Sequence, residues 1–197
     1  YYIYPYTENF VRVELPKIYL SPLLVKKKGY KLYNKIVKTW NSGLIERAYK
    51  LSETFLRKQK KSFFYDEVVA WNAELYFLML EKRGKPMNSN SKQNFWDCTK
   101  RKPPYNWLAR CHYFLGQYYL NTREFDRALT EFEKGAEISE QTPFEPYFIS
   151  SRAQVFYLTG KTKKAMDILE QVASDYPKFK VSAELKKMLA VFNKKDF

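Results

Sequence analysis

Three short cationic runs are the residues best placed to act on a partner: Lys26-Lys27-Lys28, Arg57-Lys58-Gln59-Lys60-Lys61 and Lys100-Arg101-Lys102. The rings of Trp40, Phe63, Phe64 and Trp96 lie near them in sequence. Cations beside rings suit nucleic acid, because cations neutralise phosphates and rings stack on bases. The same residues suit acidic lipid headgroups beside an anchor upstream of the chain. A third account needs no ligand. Lys and Arg near a helix C-terminus interact favourably with the helix dipole, and Arg57 to Lys61 falls at such an end. Solvated helix ends are the plainest of the three readings.

Groups that could catalyse are few. His112 is the one histidine, and it falls on an apolar helical position, where a core histidine is expected. Asp66 and Glu67 are adjacent carboxylates that open an apolar helix, and capping explains them. There is no glycine-rich phosphate loop, no nucleophile elbow and no HExxH pattern. The chain is therefore not expected to be an enzyme, and no cofactor, metal or small-molecule substrate is implied. Cys98 and Cys111 with a single histidine cannot assemble a structural zinc site. One disulfide can be drawn between them, but the spacing does not require it. The expectation is a buried thiol at Cys111 and a loop thiol at Cys98.

The elements that must position these groups read as helices. The 197 residues hold 17 Tyr and 15 Phe but only 6 Gly, which favours helix over a turn-rich β fold. The formal net charge of +14 is uneven. Residues 1–104 contain 21 Lys and Arg against 9 Asp and Glu, and the remainder 14 against 12. Charge-based function therefore belongs before residue 105. No apolar run approaches the roughly 20 residues of a membrane span. The chain opens at Tyr1 rather than Met, which reads as a fragment or a processed product and leaves room for a signal peptide or membrane anchor upstream. The lean is towards a membrane-associated or cell-envelope location, with the cytoplasm as the alternative.

Residues 1–22 contain Pro5, Pro16 and Pro22 and half-alternate around Phe10 to Leu15, which predicts an extended arm. A basic helical part follows at 23–83, with helices at about 23–40, 44–60 and 65–82. Residues 84–104 are rich in Asn, Ser, Lys and Pro and read as a loop or linker. Helices are expected at about 105–120, 124–140, 147–158 and 161–174. A last helix at 181–192, within a 179–197 cap and tail, has one apolar stripe and suits a terminal cap.

Residues 107–178 resemble two tandem tetratricopeptide repeats, all-α helix hairpins that stack into a right-handed superhelix. In the first repeat Leu115, Gly116, Tyr119, Phe125, Ala128 and Phe132 match the pattern. Gly135 stands where alanine is usual, and His112 where tryptophan is usual. In the second, Phe156, Gly160, Ala165, Leu169, Val172 and Pro177 match, with Ala153 replacing the glycine of the first helix. The turn residues Arg123 and Gly160 are 37 apart rather than the usual 34 or so. Residues 23–82 resemble the family weakly, and Ser52 stands where a large apolar residue is usual.

The resemblance implies a non-catalytic scaffold that binds a partner protein and helps assemble a larger complex, with a peptide or helix lying along the concave face. The positions in register are Arg110, Tyr113, Gln117 and Leu120, then Tyr147, Ser150, Gln154 and Tyr157. They read as a partner groove, or as a groove filled by the arm or the last helix. The lysine and asparagine clamp by which some members hold a C-terminal carboxylate is missing, since Tyr113, Gln117 and Ser150 occupy its positions. A nucleic-acid-binding module that uses the basic N-terminal half is the alternative.

Overall fold

Two aromatic ladders hold the N-terminal helices, and they set the register of everything the basic runs sit on. The computed structural model describes residues 27–101, 103–140, 142, 144–177 and 179. The expected arm at 1–22, the capping helix at 181–192, Lys26 and Lys102 lie outside them. The described residues contain eight α-helices and no strand: α1 (Tyr30–Asn41), α2 (Ile45–Lys58), α3 (Tyr65–Lys82), α4 (Ser89–Arg101), α5 (Tyr105–Asn121), α6 (Phe125–Ile138), α7 (Glu145–Leu158) and α8 (Thr162–Asp175). They divide into two units, with the boundary inside α5 between Phe114 and Leu115.

In the first unit α3 is buried on almost every face, including Val68, Trp71, Leu75, Leu78 and Leu80. That is the fate of a helix with no polar stripe. Tyr33 of α1 stacks between Phe64 and Trp71, with ring centroids 4.2 and 4.7 Å away. Trp71 in turn meets Trp40 and Trp107 at 6.0 and 5.8 Å. Offset and edge contacts of this kind add directionality to plain apolar burial. A second ladder runs Phe77, Phe114, Phe95, at 4.7 and 5.0 Å, and joins α3, α5 and α4. Ser52 is fully buried and makes a polar join: its hydroxyl donates to the Tyr49 carbonyl at 2.7 Å and accepts the Asn72 amide at 2.9 Å.

Three expectations need correction here. Residues 84–104 are not a loop, because α4 occupies 89–101. Asn88 caps it: the Asn88 Oδ1 accepts the Ser91 N–H at 3.0 Å, and the Asn88 N–H donates to Ser91 Oγ at 3.3 Å. Ser91, Phe95 and Cys98 then fall on one buried face. Cys98 is not a loop thiol either. It is fully buried and bonded to Cys111, with the Cα atoms 6.1 Å apart, which fastens α4 to α5. The first described helix begins at Tyr30, and residues 27–29 of the expected 23–40 helix are not helical, because Gly29 adopts a left-handed conformation (φ 90°) directly before it.

In the second unit small residues face large ones. Gly116 meets the Phe132 ring, Gly135 meets Phe148, and Ala153 and Ala165 pack with Phe156 and Leu169. Among the described residues four helices, α1, α3, α5 and α7, end in the same way. Gly43, Gly84, Arg123 and Gly160 all have φ between 61° and 78°. After each, a backbone N–H reaches back five residues: Leu44 to Thr39 (3.2 Å), Lys85 to Leu80 (2.9 Å), Glu124 to Tyr119 (2.8 Å) and Lys161 to Phe156 (2.8 Å). This left-handed closure satisfies carbonyls that the helix would otherwise leave open. Its recurrence every 37 to 41 residues marks a helical repeat.

Candidate basic surface

The expected partner row is mostly interior. Arg110, Tyr113, Gln117, Leu120, Ser150 and Gln154 are buried, and Tyr147 and Tyr157 are half-buried. The polar members have internal work. Arg110 forms a two-pronged ion pair with Glu74, with Nε to Oε2 at 2.8 Å and Nη2 to Oε1 the second contact. Gln117 donates to Ser151 Oγ at 3.2 Å, and Ser150 donates to the Pro146 carbonyl at 2.6 Å. The Tyr147 ring stands edge-on to Phe179 at 4.8 Å. This row is therefore not an open wall of tyrosines and glutamines.

The paired carboxylates fall in the first turn of α3, as expected, but no side-chain cap hydrogen bond forms at that end. Asp66 lies 3.7 Å from Arg101. Glu67 accepts the Tyr33 hydroxyl at 3.1 Å and the Trp107 indole N–H at 3.2 Å. Burial pushes the Glu67 carboxyl above its usual range, against the pull of these two donors. Burial, reinforced by the negative charge of Glu67, raises Tyr33 as well. Among the described residues no group of three His, Cys, Asp or Glu side chains could hold a metal ion.

The cationic runs come together instead, at one end of the first unit. Ser62 fastens two of them: its Oγ donates to the Lys28 carbonyl at 2.8 Å and accepts the Phe64 N–H at 3.2 Å. Gly29 lies in contact with Ser62 and Phe55, so Lys27 and Lys28 sit over the turn that carries Lys60 and Lys61. Arg57 and Lys58 end α2 beside them. The third run arrives on α4, where Arg101 lies over the Tyr65 ring at 5.0 Å. Lys100 covers Trp96 at 4.9 Å. All eight described members, Lys27, Lys28, Arg57, Lys58, Lys60, Lys61, Lys100 and Arg101, are exposed. Phe63 projects among them with 72% of its surface in water, and Trp96 with 43%.

A second cationic feature was not signalled by any run of charge. Lys31, Lys35 and Lys38 recur along one face of α1, and with Arg47 of α2 they line an open cleft of about 330 Å³. Asn34, Thr39, Ser42 and Leu44 complete it, and no carboxylate takes part. The Thr39 and Ser42 hydroxyls donate back to the Lys35 and Lys38 carbonyls, at 2.7 and 2.9 Å. The donors left for a ligand are thus the ammonium groups, the Arg47 guanidinium and the Asn34 amide. Glu46, the nearest carboxylate in sequence to Arg47, is held by Arg83 at 2.8 Å. The i, i+4, i+7 spacing of the three lysines was the available sequence signal.

No protein-family model matches the chain, and no curated protein matches it. Among solved structures it is similar to MamA from Desulfovibrio magneticus RS-1, in a form that runs from residue 41 to the end, and to a double mutant of RS-1 MamA. Each is 12% identical, with a TM-score of 0.39 over 74% of this chain and 93% of the other.

Proposed function

We propose that the chain is a non-catalytic scaffold of tetratricopeptide type, and that it binds a partner protein through an acidic segment laid in the α1–α2 cleft. The single observation that carries the reading is the composition of that cleft: four cations and no carboxylate. Among the described residues Lys31, Lys35, Lys38 and Arg47 enter no ion pair, so their charge is available to a ligand. Three ammonium groups on successive turns match carboxylates repeating along an extended or helical segment. The repeated left-handed closures and the small-to-large packing of Gly116, Gly135 and Ala153 support the repeat class.

The test is a titration of a fluorescent twelve-residue polyglutamate peptide, followed by anisotropy, with a twelve-nucleotide oligothymidylate as the comparison. Saturable peptide binding that weakens at least tenfold in Lys35→Glu/Lys38→Glu is expected. Tighter binding of the oligonucleotide would favour a nucleic-acid module instead. Peptide affinity unchanged by the charge reversal would remove the cleft as the site.

A further inference from the structure

The gathered end of the first unit combines two properties that one kind of partner matches. It carries exposed cations from four separate segments: the turn before α1, the end of α2, the α2–α3 turn and the end of α4. It also projects an apolar ring. Phe63 is backed edge-on by Phe64 at 5.4 Å, and the ammonium of Lys27 lies 6.0 Å from its centroid. The fold does not need Phe63, since it stands 72% exposed while Phe64 beside it is buried in the core. Of the acidic neighbours, Asp66 lies 3.7 Å from Arg101, and Asp97 keeps its charge while it accepts the Gln93 amide at 2.8 Å, so the eight exposed cations still outnumber them. The end therefore keeps a large positive excess.

We infer that this end docks on an anionic membrane surface. Lys27, Lys28, Lys60 and Lys61 meet acidic headgroups, and the Phe63 ring enters the boundary between headgroups and acyl chains. Attraction to a charged interface adds to apolar burial in such contacts. The arrangement favours a surface over a strand. A single nucleic-acid strand needs a basic groove that tracks its backbone, with rings along it. Here a protruding ring has Lys27 6.0 Å from its centroid and Lys60 and Lys61 just before it in the same turn. The inference does not depend on the α1–α2 cleft, which lies on the flank of α1 and contains no exposed ring.

Co-sedimentation of the full 197-residue chain with vesicles tests it. The vesicles are phosphatidylcholine alone, or phosphatidylcholine with three parts in ten phosphatidylserine. Binding to the anionic vesicles that declines with added salt is expected. Each lysine near such a surface is worth roughly fivefold, so Lys60→Glu/Lys61→Glu should weaken it roughly 25-fold or more. Phe63→Ser should weaken it about tenfold with the thermal midpoint unchanged, because the ring is exposed. The same Phe63→Ser chain should bind the polyglutamate peptide as the parent does, which separates this surface from the cleft. No binding to anionic vesicles, affinity indifferent to Phe63→Ser, or preference for an oligothymidylate over the vesicles would each overturn the inference.

Discussion

Phe148 of α7 lays the edge of its ring against Gly135 of α6, in the space that a Cβ at residue 135 would fill. This explains why glycine stands where the repeat pattern usually has alanine. Two effects oppose each other in Gly135→Ala. Alanine gains up to about 1 kcal/mol in helix propensity. Forcing a methyl group into the Phe148 ring costs about 1–3 kcal/mol, and the ring is nearly fully buried, so it has little room to give. The net expectation is destabilisation, read as a lower urea midpoint. Phe148→Leu in the Gly135→Ala background should recover part of it. A Gly135→Ala chain as stable as the parent would show that the ring moves aside freely.

The pair of Glu74 and Arg110 gives a second prediction. Both side chains are more than nine-tenths buried, at 5% and 7% exposure. Removing one partner leaves the other charge in the interior, so Glu74→Leu alone and Arg110→Met alone should each cost about 3–5 kcal/mol. Removing both leaves no charge behind, and the double variant should recover most of that loss. The check is a double-mutant cycle by chemical denaturation. Additive losses in the double variant would mean that the two charges are not coupled.

The bond between Cys98 and Cys111 gives a third. It spans 13 residues and joins two helices through the turn around Pro103 and Pro104. Closing a loop of this length in the unfolded chain contributes about 3 kcal/mol. The thermal midpoint should drop on addition of dithiothreitol, and Cys98→Ser/Cys111→Ser should reproduce that drop and no longer respond to it. Thiol titration of the non-reduced, denatured chain should find no free cysteine. Two free thiols in that titration would show that the chain does not carry the bond.

Why parts of this were legible in the sequence and others not has a physical basis. The helix at 65–82 was readable to the residue because it is apolar on nearly every face, with Arg83 and Gly84 closing it. The turns at Arg123 and Gly160 were readable from the repeat pattern. The helix at 89–101 was hidden because its outer face is Asn, Ser, Lys and Gln, the residues of loops. Its inner face is only Ser91, Phe95 and Cys98, at spacings of four and three. A three-residue stripe is a weak signal when the stripe includes a serine. The burial of the partner row was not legible for a different reason. Position in a repeat says which way a side chain points, but not whether the chain leaves that side open. Arg110 was counted as a groove residue because Glu74, its partner, lies 36 residues away. Likewise the union of three basic runs depends on Ser62 meeting Lys28 and Arg101 meeting Tyr65, contacts that exist only in the fold.

Glu67 supplies a prediction about pH. Its carboxyl is enclosed by Tyr33 and Trp107, and burial raises it above the ordinary value of 4.5. In the unfolded chain it titrates near that ordinary value. Between the two, the folded state holds a proton that the unfolded state has released. Stability at this site is therefore complete below the ordinary value and falls as pH rises through the raised one. Glu67→Gln removes the titration and keeps an acceptor for one of the two donors. The other donor is left without a partner, at a cost of about 1–3 kcal/mol that does not vary with pH. Parallel denaturation series from pH 4 to 8 should thus show the parent losing its advantage over Glu67→Gln as pH rises, by a difference that levels off once the carboxyl is ionised in both states. A gap between the two chains that stays constant, or widens towards high pH, would show that the burial of Glu67 does not disfavour its charge.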